Sequence, residues 1–179
     1  NKNKSANPNE YYTSAQKFQS RTELQSLVYD IIAPSSYKTA LEDGPGFCFL
    51  IDMSYPALSI GFTQQMLTSI KASLDSLPPQ THVGIVTMSN IATAFDLADG
   101  KEIVFADLKD LPLPFNKPNA FLPISECKSN LIQYIDDLLS RPINPDIIGN
   151  CLASGMIICD QIMQRKGGIL MVGTIGLPK

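Results

Sequence analysis

The apolar positions along this chain change period several times, and each change marks an element. Leu27 to Ala33 is rich in β-formers and stops at Pro34, which predicts a strand. Phe47 to Met53 is apolar on both faces, the pattern of a central strand covered on each side. After Gly61 the period lengthens. Met66, Leu67, Ile70, Leu74 and Leu77 recur at spacings of three and four, which lays one stripe on a helix that Pro78-Pro79 ends. His82 to Met88 reads as a second buried strand, so strand, helix and strand form a right-handed crossover unit.

Beyond the turn at Ser89-Asn90, Ile91 to Leu97 and Lys101 to Phe105 are parted by Asp99-Gly100 and predict a hairpin. Asp107 to Pro123 carries Pro112, Pro114, Pro118 and Pro123, which block helix and central strand alike. An extended strap is expected there, with Leu113, Phe115 and Phe121 as its contacts. Two helices follow. Ser125 is the expected cap of the first, Cys127, Leu131, Ile135 and Leu138 form its stripe, and Pro142 stops it. The second is expected from about Ile147 to Lys166, with Ile148, Leu152, Met156, Cys159 and Met163 inward and Gly167-Gly168 as its stop. Ile169 to Gly173 predicts a last buried strand. The fold class is therefore α/β, a three-layer sandwich with a mostly parallel sheet and an antiparallel hairpin. Residues 1–26, polar in their first part, read as a mobile lead-in and linker, and 27–179 as a single partial domain. The chain starts at Asn rather than Met, which reads as a piece excised from something longer. A stop at Lys179 would leave the Ile169–Gly173 strand as an open edge, so the sheet is expected to be truncated at its C-terminal side.

Composition narrows the function classes. With 44% hydrophobic and 17% charged residues, the chain reads as an ordinary soluble globular protein. A net charge of −3 and a pI near 5.1 give no whole-domain footprint for nucleic acid. No apolar run approaches the ~20 residues of a membrane-spanning helix, and the polar start shows no signal peptide. Cys48, Cys127, Cys151 and Cys159 form no C-x-x-C pair, and His82 is the single histidine, so buried, reduced thiols are expected rather than zinc ligands. No G-K-[ST] phosphate loop and no G-x-S-x-G elbow exists, and His82 stands at the wrong end of its strand to serve Ser54. Asp136 and Asp137 are adjacent on a helix, so their side chains diverge by ~100° and read as a solvated face.

That leaves the strand end Asp52-Met53-Ser54-Tyr55-Pro56. Open α/β sheets bind ligands at the carboxyl ends of their strands. This turn resembles the first metal loop of von Willebrand factor A domains, where D-x-S-x-S supplies oxygens to a divalent cation. Here Pro56 replaces the second serine. The family's threonine has no match within Asn144-Pro145-Asp146-Ile147-Ile148-Gly149-Asn150, and its later aspartate falls on Gly173-Thr174-Ile175-Gly176. A hard divalent cation takes ~6 oxygens, so the motif at Asp52 and Ser54 is read as degenerate, with both residues bonded to neighbouring loops. No catalytic, cofactor-binding or metal residue is expected.

A narrower resemblance runs through Phe49-Leu50-Ile51-Asp52-Met53-Ser54-Tyr55 with Ala57 and Gly61, Leu74-Asp75-Ser76-Leu77-Pro78, Val83-Gly84-Ile85-Val86-Thr87 and Leu111-Pro112-Leu113-Pro114. It closes with Gly167-Gly168-Ile169-Leu170 and Leu177-Pro178, and the lead-in adds Arg21-Thr22-Glu23-Leu24 and Ile32-Ala33-Pro34-Ser35-Ser36-Tyr37. Together these resemble the trunk domain of the cargo-adaptor subunit of the inner COPII coat (Sec family, member twenty-four), over about residues 20 to 178. The resemblance implies a von Willebrand factor A-like scaffold, not an enzyme. It would work by contact with the GTPase-activating sister subunit in endoplasmic reticulum to Golgi transport. It implies a cytoplasmic coat component, peripheral to the membrane, whose full-length form selects cargo and binds no nucleic acid. The family's zinc would lie in a finger before Asn1, so no cofactor is expected in this chain. Three rivals share some of these features: a metal-dependent adhesion-type A domain, the trunk of the sister subunit, and a small hydrolase with Asp52 as nucleophile.

Overall fold

Two hydrophobic layers sit on opposite faces of one sheet, and the alternation along its central strand decides which side chain joins which layer. The computed structural model describes residues 45–112, 114, 118–164 and 166–175. The chain divides into two units, Asn1–Lys38 and Thr39–Lys179, and every described residue lies in the second. The lead-in, the strand expected at Leu27 to Ala33, and the strap residues Leu113 and Phe115 lie outside the described residues.

Strand β1 (Gly46–Asp52) is followed by a short helix α1 (Tyr55–Ser59) and by α2 (Phe62–Ser73), which a 3-10 turn extends over Leu74–Ser76. Gly61 joins the two helices with φ 78°, the left-handed conformation that glycine adopts without steric cost. Then come β2 (His82–Met88), the hairpin β3 (Ala92–Asp96) and β4 (Lys101–Phe105), and a two-residue β5 (Leu122–Pro123). Helix α3 (Ile124–Ser140), helix α4 (Leu152–Met163) and β6 (Ile169–Gly173) complete the order.

The sheet runs β4-β3-β2-β1-β6, with β5 on the starting end of β2. Its core strands are parallel: Gly46 to Asp52 pair with His82 to Met88, and Phe47 to Ile51 pair with Ile169 to Gly173. The hairpin is antiparallel. Phe49 and Ile51 face α2 and α3, packing with Leu67, Ile70, Leu131 and Ile135. Cys48 and Leu50 face the other way, onto Ile158 and Cys159 of α4. The expected three-layer α/β sandwich with an open sheet is thus present.

Close approaches explain several glycines. A Cβ at Gly46 would meet Phe121 Cζ at 2.6 Å, and one at Gly84 would meet the Ala120 carbonyl oxygen at 3.0 Å. Phe121, the strap contact that is described, is buried over the start of β1 and β2. On the other face, a Cβ at Gly155 would lie 2.8 Å from Leu50 Cδ1, so α4 rides directly on β1.

Three expectations are corrected. Ser125 does not cap α3; the helix begins at Ile124 and has no side-chain cap bond. Carbonyls of the loop before β2 do that work, with Ile124 N–H donating to Thr81 O at 2.8 Å and Ser125 N–H to Pro79 O at 3.1 Å. The second helix starts at Leu152, not near Ile147, because the 147–150 backbone is engaged elsewhere: Tyr55 N–H donates to Ile147 O at 2.6 Å. Its inward stripe is accordingly Gly155, Ile158, Cys159 and Ile162, while Ile148 is 65% and Met156 46% exposed. Lastly, β6 is not buried. Only β1 flanks it among the described residues, and Ile169, Met171 and Val172 are exposed along this open edge.

Candidate functional site

The connections leave β1 in two directions. Helix α2 leads to β2 across one face, and α4 leads to β6 across the other, so the carboxyl end of β1 is the topological switch point. Asp52 is the last residue of β1 and is fully buried there.

Among the described residues, four uncharged donors meet its carboxylate. Oδ1 accepts the Ser54 N–H at 2.8 Å, the local turn that reverses the chain into α1. Oδ2 accepts Asn150 Nδ2 at 2.7 Å, the Ile175 N–H at 3.0 Å and the Thr174 hydroxyl at 3.2 Å. Asn150 Nδ2 also donates to Thr174 Oγ1 at 2.8 Å. The backbone is tied in as well: Thr63 Oγ1 donates to the Asp52 carbonyl at 2.6 Å, and Met53 N–H donates to Met88 O at 2.8 Å. One buried carboxylate therefore joins the exit of β1, the entry of α4 and the exit of β6. Ser54 stands at the start of α1, but its Oγ is buried with no hydrogen-bond partner among the described residues. Asp52 and Ser54 both stand at this strand end, and Asp52, though not the Ser54 hydroxyl, is bonded to neighbouring loops.

Asn150 and Thr174 are the residues that sequence reading passed over, since both fall where the metal-loop pattern fails. The signal was their polarity at element boundaries. Asn150 stands just before an apolar helix and Thr174 just after an apolar strand, where a buried polar side chain needs a partner.

The other sequence candidates are scattered. His82 lies at the opposite end of β2 from the residue paired with Asp52, with Nδ1 3.1 Å from Gln80 O and its ring 5.6 Å from that of Phe121. Asp136 forms an exposed ion pair with Lys71 at 2.5 Å. All four cysteines are buried as free thiols. Burial, with the Glu126 charge next in size, pushes the Cys127 thiol up to about 11. No group of three or more histidine, cysteine, aspartate or glutamate side chains comes together among the described residues.

One further network separates two recesses. Arg141 Nη2 donates to Glu102 Oε1 at 2.6 Å, and the Tyr134 hydroxyl donates to the same oxygen at 2.9 Å. Phe95 stacks on Tyr134 at 3.9 Å. Burial and then the Glu102 charge push the Tyr134 phenol up. On one side lies a polar groove of about 470 Å³ between the hairpin and α3. On the other is a recess of about 190 Å³ that opens among the loops at the carboxyl ends of β1 and β2.

An open α/β sheet with a hydrogen-bonded carboxylate at its switch point is the class of domain these features define. The chain belongs to the Sec23/Sec24 trunk domain family, whose model matches residues 42–179. It is 26% identical over 170 residues to the protein transport protein sec24 of Neurospora crassa, covering 88% of this chain and 18% of that protein. It is 28% identical over 170 residues to the SEC24 of Coccidioides immitis, with the same coverages. The SEC24 of Lachancea kluyveri is 27% identical over 172 residues, covering 88% of this chain and 19% of that one. The chain thus spans roughly a fifth of the length of these curated relatives. The crystal structure of the human COPII-coat protein Sec24c shares the fold, with a TM-score of 0.64 at 19% identity over 75% of this chain and 19% of that one.

Proposed function

We propose that this chain is part of the trunk of a COPII cargo adaptor. It acts in endoplasmic reticulum to Golgi vesicle-mediated protein transport by contact with the GTPase-activating sister subunit of the inner coat. The observation that carries the reading is the family match over residues 42–179, together with relatives that are protein transport proteins of the Sec24 type. In this reading the chain is a cytoplasmic scaffold, peripheral to the membrane. Cargo selection belongs to the longer protein, and nucleic acid is not a partner. No helix among the described residues is long and apolar enough to cross a membrane.

The same reading makes the Asp52 turn structural rather than catalytic or metal-binding. Four donors already occupy the carboxylate, and Asn150 presents an amide nitrogen, not an oxygen, toward it. Zinc belongs to a flanking finger and not to this chain. Two measurements test the proposal. Equilibrium binding to the purified sister subunit should be saturable and should need the flanking regions of the longer protein to be strong; no binding even with those regions present refutes the coat reading. Calorimetric titration with Mg²⁺ should show no tight site; tight binding that Asp52→Ala abolishes would restore the metal-dependent A-domain alternative.

A further inference from the structure

Helix α4 runs back along β1 in a fixed register. At one end Asn150, just before the helix, donates to Asp52 at the close of β1. At the other, a Cβ on Gly46 would lie 2.9 Å from the Gly167 carbonyl oxygen, just beyond the helix. Between them Gly155 sits against Leu50, where a Cβ would come within 2.8 Å of Leu50 Cδ1. Four residues along a helix advance about 6 Å, and two along a strand about 6.6 Å. The register that seats Gly155 on Leu50 therefore sets Cys159 over Cys48. Both cysteines are fully buried in the apolar cluster on this face. Their thiols share a hydrogen bond, which together with burial pushes the Cys159 thiol far above its ordinary range. The other two cysteines are out of reach. Cys127 belongs to the cluster on the opposite face of the sheet, and Cys151, just before α4, is about 12 Å from Cys159 along the helix.

Two thiols in contact on separate elements are a two-electron redox unit. We propose that Cys48 and Cys159 form a redox-sensitive latch between the central strand and α4, set by an oxidant of the hydroperoxide class. The absent side chain of Gly155 lets helix and strand approach closely, and a disulfide needs Cα atoms within about 7 Å of each other. Burial decides when the latch sets. While α4 is seated, both sulfurs are shielded and Cys159 stays protonated, whereas the thiolate is the form that attacks. Local opening of α4 brings the pair to solvent. One sulfur then attacks the peroxide: an S–O bond forms as the O–O bond breaks, and the thiol proton ends on the departing oxygen as water. The partner thiol attacks the resulting sulfenic acid. The S–S bond forms, the S–O bond breaks and a second water leaves. The thiols lose two electrons and the peroxide gains them, and α4 is fixed to β1 as it reseats.

The test treats the native 179-residue chain with hydrogen peroxide, counts free thiols in denaturant and maps linked peptides by mass spectrometry. Two of the four thiols should be lost, with Cys48 joined to Cys159. The oxidised chain should unfold at a higher urea midpoint than the same sample after reduction by a dithiol, because the bond closes the long loop between the two residues in the unfolded chain. Cys159→Ala and Cys48→Ala, each checked for folding by circular dichroism, should form no intramolecular disulfide and show no midpoint change on reduction. Cys127→Ala should oxidise as the wild type does. Four free thiols after treatment overturn the latch. So does a bond to Cys127 or Cys151, oxygen added at Cys48 or Cys159 in place of the bond, or a linked chain no more stable than the reduced one.

Discussion

Replacing Asp52 by alanine tests whether one carboxylate holds the carboxyl end of the sheet. The side chain is fully buried and accepts four hydrogen bonds from described residues, so its removal strands donors rather than exposing a cavity alone. The donors differ in what water can restore. Ile175 is exposed and Thr174 partly so, and both can be rehydrated. The Ser54 N–H and Asn150 Nδ2 are on buried residues, and each buried donor left unmade costs about 1–3 kcal/mol. Against that, Asp52→Ala relieves part of the penalty for holding a charge away from water. A loss of about 3–4 kcal/mol is expected, a large share of the ~5–15 kcal/mol that holds a domain together. Asp52→Asn keeps the shape and can turn its oxygen to the Oδ2 side, where three donors converge. It sacrifices mainly the Ser54 bond, and about half the loss is expected. Urea unfolding followed by circular dichroism reads both variants, with a lower midpoint at unchanged slope. Alanine within about 0.5 kcal/mol of wild type, or more stable than it, would refute the reasoning.

Three other substitutions probe neighbouring features. Ser54→Ala removes a buried hydroxyl without a partner among the described residues and should be neutral or stabilise by up to about 1 kcal/mol in the same assay; marked destabilisation would mean the hydroxyl is engaged. Gly155→Ala puts a methyl 2.8 Å from Leu50 Cδ1 and should destabilise by about 1–3 kcal/mol despite the better helix propensity of alanine. Restoration by Leu50→Val, with its shorter side chain, would confirm the clash as the cause. The Cys127 thiol stays protonated in the fold up to about 11, whereas the unfolded chain ionises from 9.0. The unfolded state therefore holds fewer protons in that window, and stability falls as pH rises from 9.0 to about 11. Cys127→Ala should flatten that segment of the stability–pH curve relative to wild type.

What could be read from the sequence divides along a physical line. β1, β2 and α2 were legible because each is buried against more than one neighbour, which forces a clean apolar period. The start of α4 was not. Ile147 and Ile148 continue the helical spacing of the residues that follow, yet the Tyr55–Ile147 backbone bond and the Asn150–Asp52 bond hold them off the helix. Both bonds join segments about 90 or more residues apart, and no local pattern encodes them. β6 differs: its strand and its open edge were both expected, and among the described residues only β1 flanks it, but an apolar run of five does not say whether its faces are covered, and the expected burial is absent. At the site, Asp52 was found by its motif, while Asn150 and Thr174 were hidden because hydrogen-bond partners obey no spacing rule.

The physical requirements of a metal cradle and of a loop anchor overlap more than their functions do. Both need a buried acid at a strand end that several loops can reach, and both impose loop geometry at the switch point. They differ in what completes the carboxylate's coordination. A cation needs oxygens from several loops, whereas an anchor needs N–H and O–H donors. Among the described residues, the donors at Asp52 are of the second kind: two backbone amides, one side-chain amide and a hydroxyl. Such an anchor needs no bound cation to tie the exit of β1 to the entry of α4 and the exit of β6. The same reasoning separates two kinds of damage. Asp52→Ala should lower stability equally with and without Mg²⁺, whereas loss of a metal cradle would lower it only where Mg²⁺ had stabilised the wild type.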